Sequence, residues 1–252
     1  MDKILVVIPY LASGAQGDEL AYAVAGWRRH FKEDYLIVIV GDHHPVVETG
    51  DDIRFIGCRR IDEVTGEYRP ALDVVHKIRV VREHFPDADG FIWAADDIYA
   101  VNDFDLADVR FLKMLNPGMD SFSLRSSNPW QRMMARTRDL LISEGYPTRN
   151  FAVHLPSWYD FGKLTEIMDR YRLDSRSYSP QALYYNIVFR DRIPFRLNLD
   201  NDNLKYGIYL NTFDARTLQR AFKTKIWVNN SNVGYNETLF RMLDEHYNSS
   251  TL

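Results

Sequence analysis

The chain has 252 residues, of which 46% are hydrophobic and 26% are charged, and its formal net charge at pH 7 is −4. This composition argues against a disordered protein and against a generic nucleic-acid binder, and the length suits one globular domain. No apolar stretch approaches the roughly 20 residues of a membrane-spanning helix. The strand-like start KILVVIPY leads us to expect no secretion signal. The single cysteine, Cys58, excludes an intramolecular disulfide and favours a reducing, cytoplasmic location.

Predicted strands and helices alternate in the first half of the chain. Continuous apolar runs are typical of strands covered on both faces, and they occur at residues 4–9, 35–40, 53–56 and 91–94. Helical spacing predicts one helix capped by Asp18 and running to about Phe31, and a second over residues 70–84. The resulting order, β-α-β-β-α-β, predicts an α/β domain with a mostly parallel sheet flanked by helices.

The second half of the chain is less regular. The patterns predict helices over residues 131–144, 159–172 and 236–247, and strands over residues 122–124 and 225–228. Residues 180–189 fit either a helix or a strand. Because no repeat or linker interrupts the sequence, we expect a single domain, with a nucleotide-binding half over residues 1–110 and an acceptor and catalytic half over residues 111–252.

Two adjacent carboxylates, Asp96 and Asp97, follow the fourth predicted strand, and the apolar residues Ile98 and Tyr99 come directly after them. Two neighbouring anions at a strand end repel each other and lose solvation, which costs several kcal/mol unless a cation is close. A Mg²⁺ or Mn²⁺ ion that carries a diphosphate is the commonest such cation. A helix N-cap or a solvated turn is the alternative interpretation.

Polar breaks also follow the first two predicted strands, at Pro9-Tyr10 and at Gly41-Asp42. Open α/β sheets bind ligands beyond the carboxyl ends of their strands, so these breaks and the acidic doublet predict a nucleotide crevice at one sheet edge. The sequence lacks a P-loop and the Rossmann pattern GxGxxG. A bound diphosphate must therefore be neutralised by a metal and by basic side chains.

Two residues of the second half are candidate general bases. His154 follows the apolar residues 151–153 and precedes Leu155-Pro156, so we expect it at another strand end, although a structural histidine fits equally well. Asp160 is the alternative base, and it also fits the N-cap of the predicted helix that follows.

Several basic residues are available to bind phosphates. Arg125 follows a strand-like run and is the candidate clamp for a diphosphate. The other basic residues are Arg59, Arg60, Arg69, Lys77, Arg79 and Lys205. For each of them, and for Arg125, the alternative interpretation is an ordinary surface charge.

The order of these segments resembles the GT-A nucleotide-sugar transferases, and more specifically the Stealth family of hexose-1-phosphate transferases. The similar stretches are DELAY at 18–22, YLIVIVGD at 35–42, GFIWAADDIYAVNDF at 90–104, AVHLPSWYDF at 152–161 and LYYNIVF at 183–189. The resemblance implies a Rossmann-like GT-A fold and a metal-dependent transferase of polysaccharide biosynthesis. Its donor would be a nucleotide-diphosphate sugar such as a UDP-sugar, and its acceptor would bear a hydroxyl group.

The resemblance also implies roles for the candidate residues. Asp96 and Asp97 would hold Mn²⁺ or Mg²⁺, and the nucleotide would lie on Asp96 and on the first two strand ends. Arg125 would offset charge on the leaving nucleotide, and His154 or Asp160 would deprotonate the acceptor. At the first two strand ends, the nucleotide would be bound by Pro9, Tyr10 and Asp42.

Two positions depart from the family pattern. Ala95 stands where an Asn or Asp is usual, and Asn230 stands where a late carboxylate is expected. These departures favour one alternative, a binding protein of the same fold without catalysis. A metal-dependent phosphohydrolase that uses the same aspartates is a second alternative.

Overall fold

The computed structural model describes residues 3–61, 69–116, 118–198 and 201–248. The strands are β1 (Ile4–Tyr10), β2 (Tyr35–Gly41), β3 (Ile53–Gly57), β4 (Gly90–Trp93), β5 (Ile98–Ala100), β6 (Lys113–Met114), β7 (Ser157–Asp160), β8 (Phe195–Arg196), β9 (Lys205–Ile208) and β10 (Trp227–Asn230). The α-helices are α1 (Glu19–His30), α2 (Pro70–His84), α3 (Leu106–Arg110), α4 (Pro129–Ser143), α5 (Phe161–Arg170), α6 (Pro180–Val188), α7 (Ala215–Thr224) and α8 (Glu237–Asn248).

The central sheet has five strands in the order β3-β2-β1-β4-β7. The first four strands are parallel, and β7 pairs antiparallel with β4 at one edge. Val6 of β1 lies between Ile37 and Ile92 in the register of the parallel strands. The fold prediction of a mostly parallel sheet flanked by helices is therefore confirmed.

Helices cover both faces of this sheet because side chains alternate along each strand. Val7 belongs to the core cluster that contains Val75 and Ile78 of α2, whereas Val6 belongs to the cluster that contains Val24 and Trp27 of α1. Burying each of these large side chains contributes about 1.5 to 3 kcal/mol. Because both faces are covered, the polar residues that follow the strands are left at the sheet's edges.

A smaller sheet has the order β5-β10-β9, in which β10 is antiparallel to β5 and parallel to β9. Four residues separate the end of β4 from the start of β5, so the chain passes from one sheet to the other through the acidic doublet. A further pair of two-residue strands, β6 and β8, is parallel. Among the described residues, no helix is both long enough and apolar enough to cross a membrane.

Two predicted elements differ from the structure, and a third segment, for which the sequence left helix and strand open, is a helix. Residues 122–124 form no strand, because the Phe122 carbonyl accepts a hydrogen bond from the Arg138 guanidinium (2.7 Å) instead of from a neighbouring strand. The helix predicted to start at residue 159 begins at Phe161, since the preceding residues form β7 against β4. Residues 180–188 are helical because the Ser179 hydroxyl accepts from the Ala182 amide and Pro180 occupies the first turn.

Candidate functional site

A cleft of about 280 Å³ lies beyond the carboxyl ends of β1 and β4. Pro9 and Tyr10 line it from the end of β1, and Asp96 and Asp97 line it from the segment that follows β4. The parallel register of β1 and β4 brings these two strand ends side by side, as the sequence predicts. The acidic doublet therefore faces a cavity at the sheet edge where α/β proteins bind ligands.

The pKa of Asp96 is strongly raised in this cleft. Burial, the neighbouring Asp97 and then Glu19 raise the pKa of Asp96 to about 7. Neither carboxylate of the doublet forms an ion pair with a lysine or arginine in the described parts of the chain. The doublet is thus a pair of adjacent carboxyl groups of which Asp96 keeps its proton up to about neutral pH, with no ion pair to lysine or arginine among the described residues.

His154 lies against the doublet. Its Nε2 atom is 3.0 Å from Asp97 Oδ1, and its Nδ1 atom is 3.1 Å from Asn229 Nδ2. The Asn229 amide nitrogen can only donate, so Nδ1 accepts and Nε2 carries the proton that is donated to Asp97. His154 has a φ of 50°, a left-handed backbone conformation that is rare for residues other than glycine. Such strain persists where the surrounding contacts determine the position of a side chain.

Asn229 and Asn230 are consecutive and fully buried on β10, so their side chains point to opposite faces of the small sheet. Asn229 donates to His154 and to the Tyr209 hydroxyl (3.2 Å), which in turn accepts from Lys205 Nζ (3.1 Å). Asn229 Oδ1 is buried without a hydrogen-bond partner. The face of Asn229 therefore fixes the imidazole of His154.

Asn230 connects the small sheet to helix α1. Its Oδ1 atom accepts from the Tyr99 hydroxyl (2.6 Å) and its Nδ2 atom donates to Glu19 Oε1 (2.6 Å). Burial raises the pKa of Glu19, whose second oxygen accepts from the Gln16 amide (2.7 Å). An aspartate at position 230 would place a second carboxylate against a buried glutamate. The missing late carboxylate is thus explained by Glu19 and by local packing.

Two basic side chains also line the cleft. Lys77 of α2 is buried and pairs with Asp73 one helical turn earlier, and both residues line the cavity. Arg60 lines it as well. These are two of the basic residues that the sequence singles out, and they are the ones in a position to meet a phosphate in this cleft.

The other predicted site residues lie elsewhere. Asp42 is exposed, and its carboxylate accepts from the Ala12 amide (2.8 Å), so it holds the loop after β1. Arg125 lies in an exposed turn and does not line the cleft. Asp160 pairs in register with Gly90, at the opposite end of β4 from the doublet, and its side chain caps α5.

Sequence reasoning gave Glu19 no role of its own, and it noted Asn229 only as part of the pair Asn229-Asn230, which falls where the family pattern has a late Asn-Asp. Asp18 stands at the N-cap of α1 but makes no side-chain capping bond, and the buried acid is its neighbour Glu19. A charged residue on the apolar face that Leu20 and Val24 mark was the available signal. The contact of Asn229 with His154 could not be predicted, because the two residues lie 75 positions apart in the chain.

The residues present fit a divalent cation that arrives with a substrate. The described residues contain no group of three or more His, Cys, Asp and Glu side chains arranged to hold a metal. Mg²⁺, however, is usually bound through one or two carboxylates together with substrate phosphates and water. The carboxyl groups of Asp96 and Asp97, which form no ion pair with lysine or arginine among the described residues, meet that requirement.

Comparison with known proteins gives structural neighbours alone. No family model matches the chain, and no curated protein matches it. The apo structure of the WbbM bifunctional glycosyltransferase aligns with 93% of this chain and 46% of that chain, with 14% identity and a TM-score of 0.50. The galactosyltransferase LgtC, in complex with donor and acceptor sugar analogs, aligns with 99% of this chain and 97% of that chain, with 12% identity and a TM-score of 0.47. The chain thus has the α/β fold of a glycosyltransferase, in agreement with the GT-A-like architecture that its sequence predicts.

Proposed function

We propose that this protein is a glycosyltransferase that uses a nucleotide-diphosphate sugar as donor and a hydroxyl group as acceptor. The observation that carries the proposal is the uncompensated pair Asp96 and Asp97 in a cleft at the carboxyl edge of the sheet. The glycosyltransferase fold of the chain supports it.

The cleft divides into parts suited to the donor. Pro9 and Tyr10 offer the floor for the nucleoside, and the basic side chains Arg60 and Lys77 lie where the diphosphate charge would be met. Asp97 and Asp96 would hold Mg²⁺ or Mn²⁺, which supplies charge neutralisation for the departing nucleotide. Each of these residues lines one continuous cavity.

His154 is the proposed general base. Both of its nitrogens are engaged, by Asp97 and by Asn229. It can therefore accept a proton from an acceptor hydroxyl at Nδ1 after the contact to Asn229 opens, or at Nε2 after the contact to Asp97 opens and the ring proton has moved to Nδ1. Asp160 is unsuited to this role because it caps α5 at the opposite end of β4.

Two reactions are compatible with this site. If the acceptor attacks the anomeric carbon, a sugar is transferred and a nucleoside diphosphate leaves. If it attacks phosphorus, as the resemblance to the Stealth family implies, a sugar phosphate is transferred and a nucleoside monophosphate leaves. Identification of the released nucleotide distinguishes the two.

One of the two departures that favour a binding protein without catalysis has another explanation. Asn230 is buried against Glu19 and Tyr99, so its lack of charge is explained by packing and not by the loss of a ligand. Ala95 is the remaining departure from the family pattern.

Thermal unfolding with and without ligand tests the proposal. A UDP-sugar with Mn²⁺ at about 100 times its Kd stabilises a folded protein by about 2.7 kcal/mol, or about 5 to 10 °C for a chain of this size. We expect Asp97→Asn to lose this shift and Asp191→Asn, which alters an exposed carboxylate on a distant turn, to keep it. An equal shift without metal in Asp97→Asn would refute the metal assignment. The absence of any shift with UDP-, GDP-, CDP- and dTDP-sugars would refute the donor class.

Turnover tests the role of His154 separately. We expect His154→Gln to retain the ligand-induced shift while the release of nucleotide falls by about 10² to 10⁴-fold, the usual contribution of a general base. A loss of the shift in this variant would mean that His154 holds the ligand instead.

A further inference from the structure

Two further cavities adjoin the donor cleft between α2 and α4. The first, here the aromatic pocket, has a volume of about 190 Å³ and is lined by Trp93, Trp130 and Tyr159, with Gln181 as a polar group. It shares Pro70 and Val74 with the donor cleft, so the two cavities are neighbours at the start of α2. The aromatic pocket thus lies next to the cleft that is proposed to bind the donor.

The second cavity, here the arginine pocket, has a volume of about 400 Å³. Arg69, Arg132 and Arg136 line it, and no acidic side chain does so in the described residues. It shares Pro70 and Met133 with the aromatic pocket. A local cluster of three guanidinium groups is notable in a chain whose net charge is −4.

Helix α4 builds both pockets. The Asn128 side chain accepts from the Trp130 amide (2.9 Å), which starts the helix with Trp130 in its first turn. Arg132 and Arg136 follow at a spacing of four and therefore share one face. The Arg132 guanidinium donates to the Ser126 and Ser127 carbonyls (both 2.7 Å), which orients it, and no carboxylate of the described residues pairs with it.

We propose that the two pockets together bind an acceptor saccharide that carries a phosphate or carboxylate group. A sugar ring would lie against Trp93 and Trp130, since aromatic and apolar walls with few polar groups are typical of small-molecule sites. The anionic group would lie among the arginines, whose planar forks match phosphate and carboxylate oxygens. The proposal rests on the proposed function, because it takes the adjacent cleft as the donor site.

The arrangement favours an acceptor over the donor as the ligand of the arginines. The arginine pocket includes neither residue of the acidic doublet, whereas Arg60 and Lys77 line the donor cleft together with the doublet. Among the described residues, Arg136 has no ion-pair or hydrogen-bond partner, so its charge is available to a ligand.

Titration calorimetry with simple probes tests the proposal. The probes are glucose 6-phosphate, glucuronate, neutral glucose, inorganic phosphate and UDP with Mn²⁺, and the first two distinguish phosphate from carboxylate. We expect the charged sugars to bind and Arg132→Gln/Arg136→Gln to weaken them at least about tenfold, since one hydrogen bond to a charged group has that effect. The control Arg241→Gln, on the exposed face of α8, should not weaken them.

Further variants separate the two pockets. Trp130→Ala should weaken the charged sugars and leave inorganic phosphate unchanged. Neutral glucose should bind at least about tenfold more weakly than the charged sugars. If the double variant is unstable, Arg136→Gln alone carries the test, because Arg136 is exposed.

The outcomes that overturn the proposal are distinct from failure of the proposed function. No binding of either charged sugar, or equal binding of neutral glucose, overturns it. Loss of UDP binding in the arginine variants also overturns it, because the arginines would then belong to the donor site. If UDP fails to bind the wild-type protein, the donor assignment itself is wrong, whatever the sugars do.

Discussion

Replacing Asp96 with asparagine should stabilise the protein at neutral pH. The ordinary pKa of this carboxyl is 3.8, and burial next to Asp97 raises it to about 7 in the folded state. Between these two values the folded protein holds a proton that the unfolded chain has lost, so stability falls as the pH rises through this window. Across this window the free energy of unfolding falls by about 1.4 kcal/mol per pH unit, to a total of about 4 kcal/mol.

Urea unfolding of the wild-type protein and Asp96→Asn at pH 4.5 and pH 8, without divalent cations, measures this effect. We expect the free energy of unfolding of the wild type to fall by about 2 to 4 kcal/mol relative to Asp96→Asn over this range. The control Asp191→Asn should retain the wild-type dependence. Parallel curves for the wild type and Asp96→Asn would refute the view that the doublet is an uncompensated pair.

Three further substitutions probe other parts of the structure by urea unfolding. Asn230→Asp should destabilise the fold by on the order of 3 kcal/mol at pH 8, because it sets a second carboxylate against buried Glu19; an unchanged midpoint would contradict the buried contact. Gly41→Ala should destabilise the fold by at least about 3 kcal/mol, since φ is 135° and a Cβ would lie 2.0 Å from the Tyr10 carbonyl oxygen. The control is Gly145→Ala, where φ is also positive but no atom lies within 4 Å of the added Cβ. Equal costs for the two variants would show that backbone strain acts without the clash. Burial, followed by nearby His30, lowers the pKa of His246 from 6.5 to about 4, so stability should fall by up to about 3 kcal/mol as the pH drops from 6.5 to 4; a wild-type acid limb in His246→Asn would contradict this.

The sequence predicts the central sheet well because its strands are buried on both faces. The runs at β1 and β2 are continuous, and α1 and α2 show clear helical spacing, so local patterns suffice for the first half of the chain. The acidic doublet could also be predicted from the local pattern, because its two carboxylates interrupt a stretch that is otherwise apolar. Its position in a cleft follows from the parallel order of the strands.

The rest of the site depends on contacts between distant segments. His154 could be singled out by its position before Pro156, but its contact with Asp97 spans 57 residues and its contact with Asn229 spans 75. Arg125 was favoured as the clamp because residues 122–124 resemble a strand, and that strand does not form. Asp160 was ambiguous because Asp is common both in active sites and at N-caps, and here it caps α5.

The acidic doublet also sits where the main chain changes sheets. Strand β4 belongs to the large sheet and β5 to the small one, and the main-chain oxygen of Asp97 accepts from the Asn230 amide (3.3 Å) on β10. A ligand bound at this crossing would add a further restraint on the relative movement of the two sheets. Amide protons of β5 and β10 should then exchange more slowly with deuterium when a ligand fills the cleft. Hydrogen exchange in the small sheet would therefore report whether the cleft is occupied.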